Sequence, residues 1–153
     1  MVTDKQVREI ALFFLLTLMD ERVSVQAAQK TVSQLKATSL SAETSDKDLI
    51  RILRKIHDQH RKLLPRNRPS TTPQQVWNIP QTVAIGPWIK FQKDASEPEV
   101  MALVLGKVLR YDEAAIAAGL NISLGTAQYR IGKGVRHLGL IAKNAKGSSD
   151  VER

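Results

Sequence analysis

Apolar residues recur at intervals of three and four along most of the chain, the mark of amphipathic helices. Val7, Ile10, Ala11, Phe14, Leu15 and Leu18 outline a first helix, and Thr3 with Gln6 forms a capping box at its start. Leu12, Phe13, Leu16 and Met19 make that helix apolar on a second side as well. A second helix is expected from about Ser24 to Ala37, with Val25, Ala28, Val32 and Leu35 inward. Ser45 suits the cap of a third, with Asp46 and Asp48 in its first turn, where the helix dipole favours anions. Its stripe is Leu49, Ile52, Leu53, Ile56 and Leu63, and its other side carries a second basic face of Arg51, Arg54, Lys55, Arg61 and Lys62.

The C-terminal part repeats the pattern. Pro98 fits a first helical turn, followed by the stripe Met101, Val104, Leu105 and Val108. Asp112 caps a short helix to about Gly119, and Leu120-Asn121-Ile122 makes a tight break. Ser123 caps a last helix expected to run to about Leu138, with Leu124, Ala127, Ile131 and Leu138 inward. No segment alternates for long enough to be a strand, so the predicted class is all-α. Five of the six prolines lie between Pro65 and Pro87, and proline disfavours helix at the residue before it. The expected layout is two small helical domains joined by a Pro-rich linker: a three-helix bundle over 1–64, the linker over 65–95, a helix-turn-helix over 96–142 and a flexible tail over 143–153. Trp77 and Trp88 fall in the linker. Either they pack it onto a domain, the commoner use of an aromatic, or they dock a partner.

Residues 112–138 carry the most information: short helix, sharp turn, longer helix. Ala117 and Ala118 allow close approach, Asn121 tolerates the left-handed backbone that such a turn requires, and Ile122 and Ile131 fill the space between the helices. In such a unit the second helix enters the major groove. Gly132 and Gly134 interrupt it at about 1 kcal/mol each relative to alanine. Gly134 would allow close packing against the supporting helix and Gly132 close approach to a DNA backbone, unless the helix frays after Arg130.

Charge sharpens the picture. The chain has 23 Lys and Arg against 15 Asp and Glu, a net charge of +8. The excess sits in two blocks. Residues 51–68 hold Arg51, Arg54, Lys55, Arg61, Lys62, Arg66 and Arg68 against Asp58 alone, and residues 124–146 hold Arg130, Lys133, Arg136, Lys143 and Lys146 with no acid. Clustered basic residues are the electrostatic footprint of a nucleic-acid binder, although acidic partners and membrane surfaces attract them too. With no cysteine there is no disulfide, thiolate metal site or cysteine nucleophile. The longest apolar run, Ile10 to Met19, is short of the roughly 18 residues of a membrane span, and no cleavage site follows it. A cytoplasmic protein without membrane contact is expected. His57 and His60 lie three apart on one helix, but without a third ligand at fitting spacing they are expected to be solvated and to hold no metal. No cofactor and no catalytic set are expected, so the chain reads as a non-enzyme.

The segment Leu120-Asn121-Ile122-Ser123-Leu124-Gly125-Thr126-Ala127-Gln128-Tyr129-Arg130-Ile131, with Ile116-Ala117 before it, resembles the −35-reading helix-turn-helix of the sigma-70 family. It is most similar to region 4 of the extracytoplasmic-function sigma factors, and Val100 to Tyr111 resembles their supporting helix. Asp20-Glu21-Arg22, Gln29 and Val32, with the basic helix Leu49 to Lys62, resemble region 2 in weaker form. The resemblance implies a transcription initiation factor that binds promoter DNA and core RNA polymerase. It places Gln128, Tyr129 and Lys133 where the family reads or grips the −35 element. Glutamine can bond adenine, and lysine can reach guanine or phosphate. Ser123 and Thr126 suit phosphate oxygens, and Arg136 lies further along the same helix. Arg130 either joins them or pairs back to an acid such as Glu113. In region 2, Gln26 stands where the family commonly has an acid and Lys36 where it often has Trp, and residues 38–64 hold no aromatic. Two alternatives therefore stand beside the sigma reading: a stand-alone regulator whose first domain dimerises or meets a regulatory protein, and a protein-interaction module that binds no DNA.

Overall fold

The computed structural model describes residues 2–38, 44–64 and 85–151, with side chains as far as Ala145. It is all-α, with no strand among the described residues. Helix α1 (Asp4–Leu18) starts at the expected capping box: the Gln6 N–H donates to Thr3 Oγ1 at 3.2 Å, and the Thr3 N–H donates to Gln6 Oε1 at 3.0 Å. It ends at Met19, whose left-handed backbone (φ 53°) turns the chain sharply.

Helix α2 (Glu21–Thr38) begins three residues before the expected start. The reason is Asp20, whose carboxylate accepts the Val23 N–H at 2.9 Å and so acts as the cap. Ser24 is instead buried, its hydroxyl donating to the Phe14 carbonyl of α1 at 3.0 Å. Thr17 and Thr31 are buried the same way, each donating to the carbonyl four residues back. These hydroxyls sit in the inward line with Ile10, Phe13, Phe14, Val23, Ala27 and Leu35, which rotates the packed faces and leaves Val7 and Val25 exposed.

Helix α3 (Asp46–Arg61) is capped by Ser45 as expected, and Leu63 lies exposed beyond its end. The chain from 86 onward departs from the linker expectation. Helix α4 (Gly86–Asp94) occupies most of the described part of that segment, with Phe91 fully buried. Trp88 packs rather than projects: its Nε1–H donates to the Leu16 carbonyl at 3.1 Å, and Gln92 Nε2 donates to the Thr17 carbonyl at 3.2 Å. Two carbonyls that α1 leaves without helical partners are thereby satisfied from a different helix. Trp77 lies outside the described residues.

Helix α5 (Glu97–Leu103) continues into a π-helical turn, Val104–Val108. The wider turn, closed by Leu109 N–H to Val104 O at 2.9 Å, carries Val108 out of the stripe and into solvent. Helix α6 (Glu113–Leu120) and helix α7 (Leu124–Val151) follow. The last helix extends well past Leu138, so the backbone from 143 to Val151 is helical where a flexible tail was expected.

One apolar core runs through both expected domains. It joins Leu49, Ile50 and Leu53 of α3 to Ile116 and Leu120 of α6, and to Val100 and Leu103 of α5. A Cβ added to Gly119 would lie 2.6 Å from the Ile50 side chain and 2.9 Å from the Lys47 carbonyl, so only glycine lets α3 and α6 cross this closely. Gly134 does meet the supporting helix, as expected: its added Cβ would lie 3.3 Å from Leu103 Cβ.

Candidate nucleic-acid interface

The turn between α6 and α7 is built by Asn121, in the left-handed region at φ 55°, ψ 49°. Its N–H donates to the Ala118 carbonyl at 3.3 Å, and that of Ile122 to the Ala117 carbonyl at 2.9 Å. This pair of bonds is the Schellman closure of a helix end. Two carbonyls further on, Leu120 O accepts a hydrogen bond from Arg54 Nη1 of α3. The turn is thus braced from outside the helix-turn-helix as well as within it.

Ser123 opens α7, its Oγ accepting the Thr126 N–H at 3.1 Å and lying 2.8 Å from Thr126 Oγ1. Both hydroxyls stand at the helix N-terminus, where the dipole favours an anion. Below them Ala127 and Ile131 are buried, and Ile131 reaches the π turn, 2.8 Å from where a Gly106 Cβ would be. Leu124, expected inward, is the first residue of α7 and is 48% exposed.

The predicted reading residues separate into three positions on α7. Tyr129, Lys133 and Arg136 share the outward face, spaced by four and three residues with Gly132 between them, and Tyr129 is 62% exposed. The expectation that Tyr129 could be a packing residue is set aside by that exposure. Gln128 lies at the edge toward α6, its Nε2 donating to Glu113 Oε2 at 2.9 Å. Glu113 was an example of an acid to which Arg130 could pair back, one of the two alternatives for that residue. The glutamine takes it, and Arg130 is half-buried at the opposite edge with no ion pair among the described residues.

Three members of the second basic face of α3 have partners in the fold while remaining exposed. Arg51 pairs with Asp48 at 3.1 Å, Arg54 braces Leu120, and Arg61 pairs with Glu97 of α5. Lys55 and Lys62 are exposed as well and make no ion pair among the described residues. Arg54 and Arg61, which the sequence marks only as charge, have become struts between helices, and no signal in the sequence distinguishes the two uses.

Histidine burial was also missed. His57 is 2% exposed and His60 8%, where solvated rings were expected. His60 turns Nδ1 to the Ile56 carbonyl at 2.9 Å. The Nδ1 of His57 instead faces Glu97 Oε1 at 3.1 Å and Asp58 Oδ1 at 3.6 Å. Burial holds the His57 imidazole below its ordinary 6.5, with Glu97 and Asp58 pulling the other way. Glu99 is buried beside His137, 3.4 Å from its Nδ1. Among the described residues no helix is long and apolar enough to cross a membrane. Comparison of the chain with protein-family models and with curated proteins finds no match.

Proposed function

We propose that this protein is a DNA-binding transcription factor of sigma-like type, a binder rather than an enzyme, which works in the cytoplasm and reads double-stranded promoter DNA with α7. The observation that supports it is the outward face of α7. Tyr129, Lys133 and Arg136 stand together on it, no acid occurs from 124 to 146, and a Schellman turn fixes its angle to α6. A basic, exposed helix face behind a rigid turn suits entry into a major groove, with the Ser123–Thr126 end of the helix near a phosphate. Gln128, oriented by Glu113, is the reader of a base at the edge of the contact. In the sigma reading this contact is to a −35-type element, and the N-terminal helices hold core RNA polymerase.

Fluorescence anisotropy on duplexes selected from a random pool tests the proposal. Affinity should fall as salt rises, and Arg136→Ala should weaken all duplexes about equally and reduce the salt slope by about one. Gln128→Ala should instead narrow the gap between selected and random duplexes, by about 1–3 kcal/mol at one base pair. Salt-independent binding, or both variants behaving as wild type, would leave only the protein-interaction reading.

A second reading has its own support. Because α3 packs into α6 and braces the turn, the N-terminal helices are part of the scaffold of the reading unit. That suits a stand-alone regulator, in which the first helices stiffen or adjust the reader or meet a regulatory protein. Co-elution with core RNA polymerase on a sizing column favours the initiation factor. DNA binding without co-elution favours the regulator.

A further inference from the structure

A buried imidazole nitrogen without a hydrogen-bond partner calls for an explanation, since nearly all such atoms find one. His57 Nδ1 is such an atom: a carboxylate oxygen lies 3.1 Å away, yet no partner meets it in hydrogen-bond geometry. His57 comes from α3 and Glu97 from the first turn of α5, so the chain brings them together across the core from 40 positions apart. Asp58 adds a second carboxylate. One ligand atom from each of His57, Asp58 and Glu97 lies within 4.8 Å of the other two.

Two of the three separations match metal ligation. With ligand bonds of about 2.0–2.1 Å, the edge of a coordination tetrahedron is roughly 3.3–3.4 Å. The two measured edges from Nδ1, 3.1 Å and 3.6 Å, bracket that length. Arg61 engages Glu97 through Oε2, which leaves Oε1 on the His57 side and fixes the carboxylate's orientation, as outer partners of metal ligands do. A cavity of about 280 Å³, bordered by His57, Glu97, Arg61, Gln92 and Thr17, opens beside His57 and Glu97 and gives room there for a water as fourth ligand.

We propose that His57, Asp58 and Glu97 form a binding site for a divalent transition-metal ion of the zinc class, which ties α3 to α5. A single nitrogen with two carboxylates suits a borderline ion at four-coordinate geometry better than calcium or magnesium, which prefer six or more oxygens. The site uses none of the reading residues of α7, so its fate is independent of the DNA proposal.

The test is a titration of tag-free, chelator-treated full chain with Co²⁺ and then Zn²⁺. One equivalent of Co²⁺ should produce intense visible d–d bands of a tetrahedral site, and Zn²⁺ should abolish them. Asp58→Asn removes a ligand from a half-exposed position and Glu97→Gln one from a partly exposed position, so both variants should keep the native circular dichroism spectrum. Each should weaken Zn²⁺ binding by more than the roughly 10–100-fold that loss of an outer-shell partner costs. His137→Ala, which removes the other histidine–carboxylate contact, should bind as wild type does. Absent d–d bands, or equal Zn²⁺ affinity in wild type and both carboxylate variants, overturns the proposal. Loss of binding in His137→Ala with retention in Asp58→Asn does so too, by moving the metal elsewhere.

Discussion

Tyr111 shows how much one side chain between the two halves of the molecule can report. Its hydroxyl donates to Glu9 Oε2 of α1 at 2.9 Å, over 102 positions of sequence. Burial first, and the Glu9 carboxylate second, push its phenol well above the ordinary 10.0. A folded pKa above the unfolded one means that the native chain keeps the proton after the unfolded chain has lost it. The contribution to stability is complete below about pH 10 and drains away as the pH climbs above it. Denaturant midpoints of wild type should therefore fall more steeply than those of Tyr111→Phe from about pH 9.5 upward. Parallel curves would show that the hydroxyl has no such linkage. At this scale the sequence was least legible. A buried Ser24 or Thr31 looks polar in a hydrophobic pattern, although its hydroxyl is silenced by a carbonyl of the same bundle. The Arg61–Glu97 and His57–Glu97 contacts pair residues far apart in the chain, and no local spacing announces them.

Helices were more legible than their partners, because caps and periodicity are local. The Thr3 box, the Ser45 cap and the Asn121 turn all stand where residue chemistry puts them. Helix α4 was obscured by Pro80 and Pro87 and by the short run of apolar positions around Phe91. Yet Pro87 sits in the first turn, where proline lacks nothing that the helix needs. The extension of α7 past Leu138 was hidden by Gly139, which argues against a helix only if nothing else holds it. The glycines of these helices divide by what stands opposite them. Gly119→Ala must push the Lys47 backbone and the Ile50 side chain apart, an overpacking cost of about 1–3 kcal/mol that exceeds the helix propensity gained. Gly139, with nothing within 4 Å of its added Cβ, should gain up to about 1 kcal/mol on the same substitution. Thermal denaturation of the two variants should shift in opposite directions, and shifts of the same sign would contradict the close α3–α6 crossing.

At the scale of the molecule, the helices of the two expected domains share one apolar interior. Composition alone could not reveal this, since the stripes of α3 and α6 look the same whether they face their own lobe or each other. The physical hint was size: segments of about 64 and 45 residues bury little surface alone and gain from pooling their cores. The pooled arrangement is carried by Gly119 against Ile50, Arg54 at Leu120, Trp88 and Gln92 at the end of α1, and Tyr111 at Glu9.

The clasp of α4 on the end of α1 has a consequence for chain connectivity. Trp88 and Gln92 hold α1 by contacts across space, just as Arg54 holds the turn before α7. Residues 1–64 and 85–153 therefore carry complementary surfaces that recognise each other without a peptide bond between them. Expressed as two polypeptides, they should reassemble into a one-to-one complex with the helical content of the intact chain. Replacing Gly119 by a larger residue in one piece should then raise their dissociation constant. Two pieces that stay apart at micromolar concentration would mean that the shared interior depends on the tether. If they do join, the protein is in effect a heterodimer written on one strand.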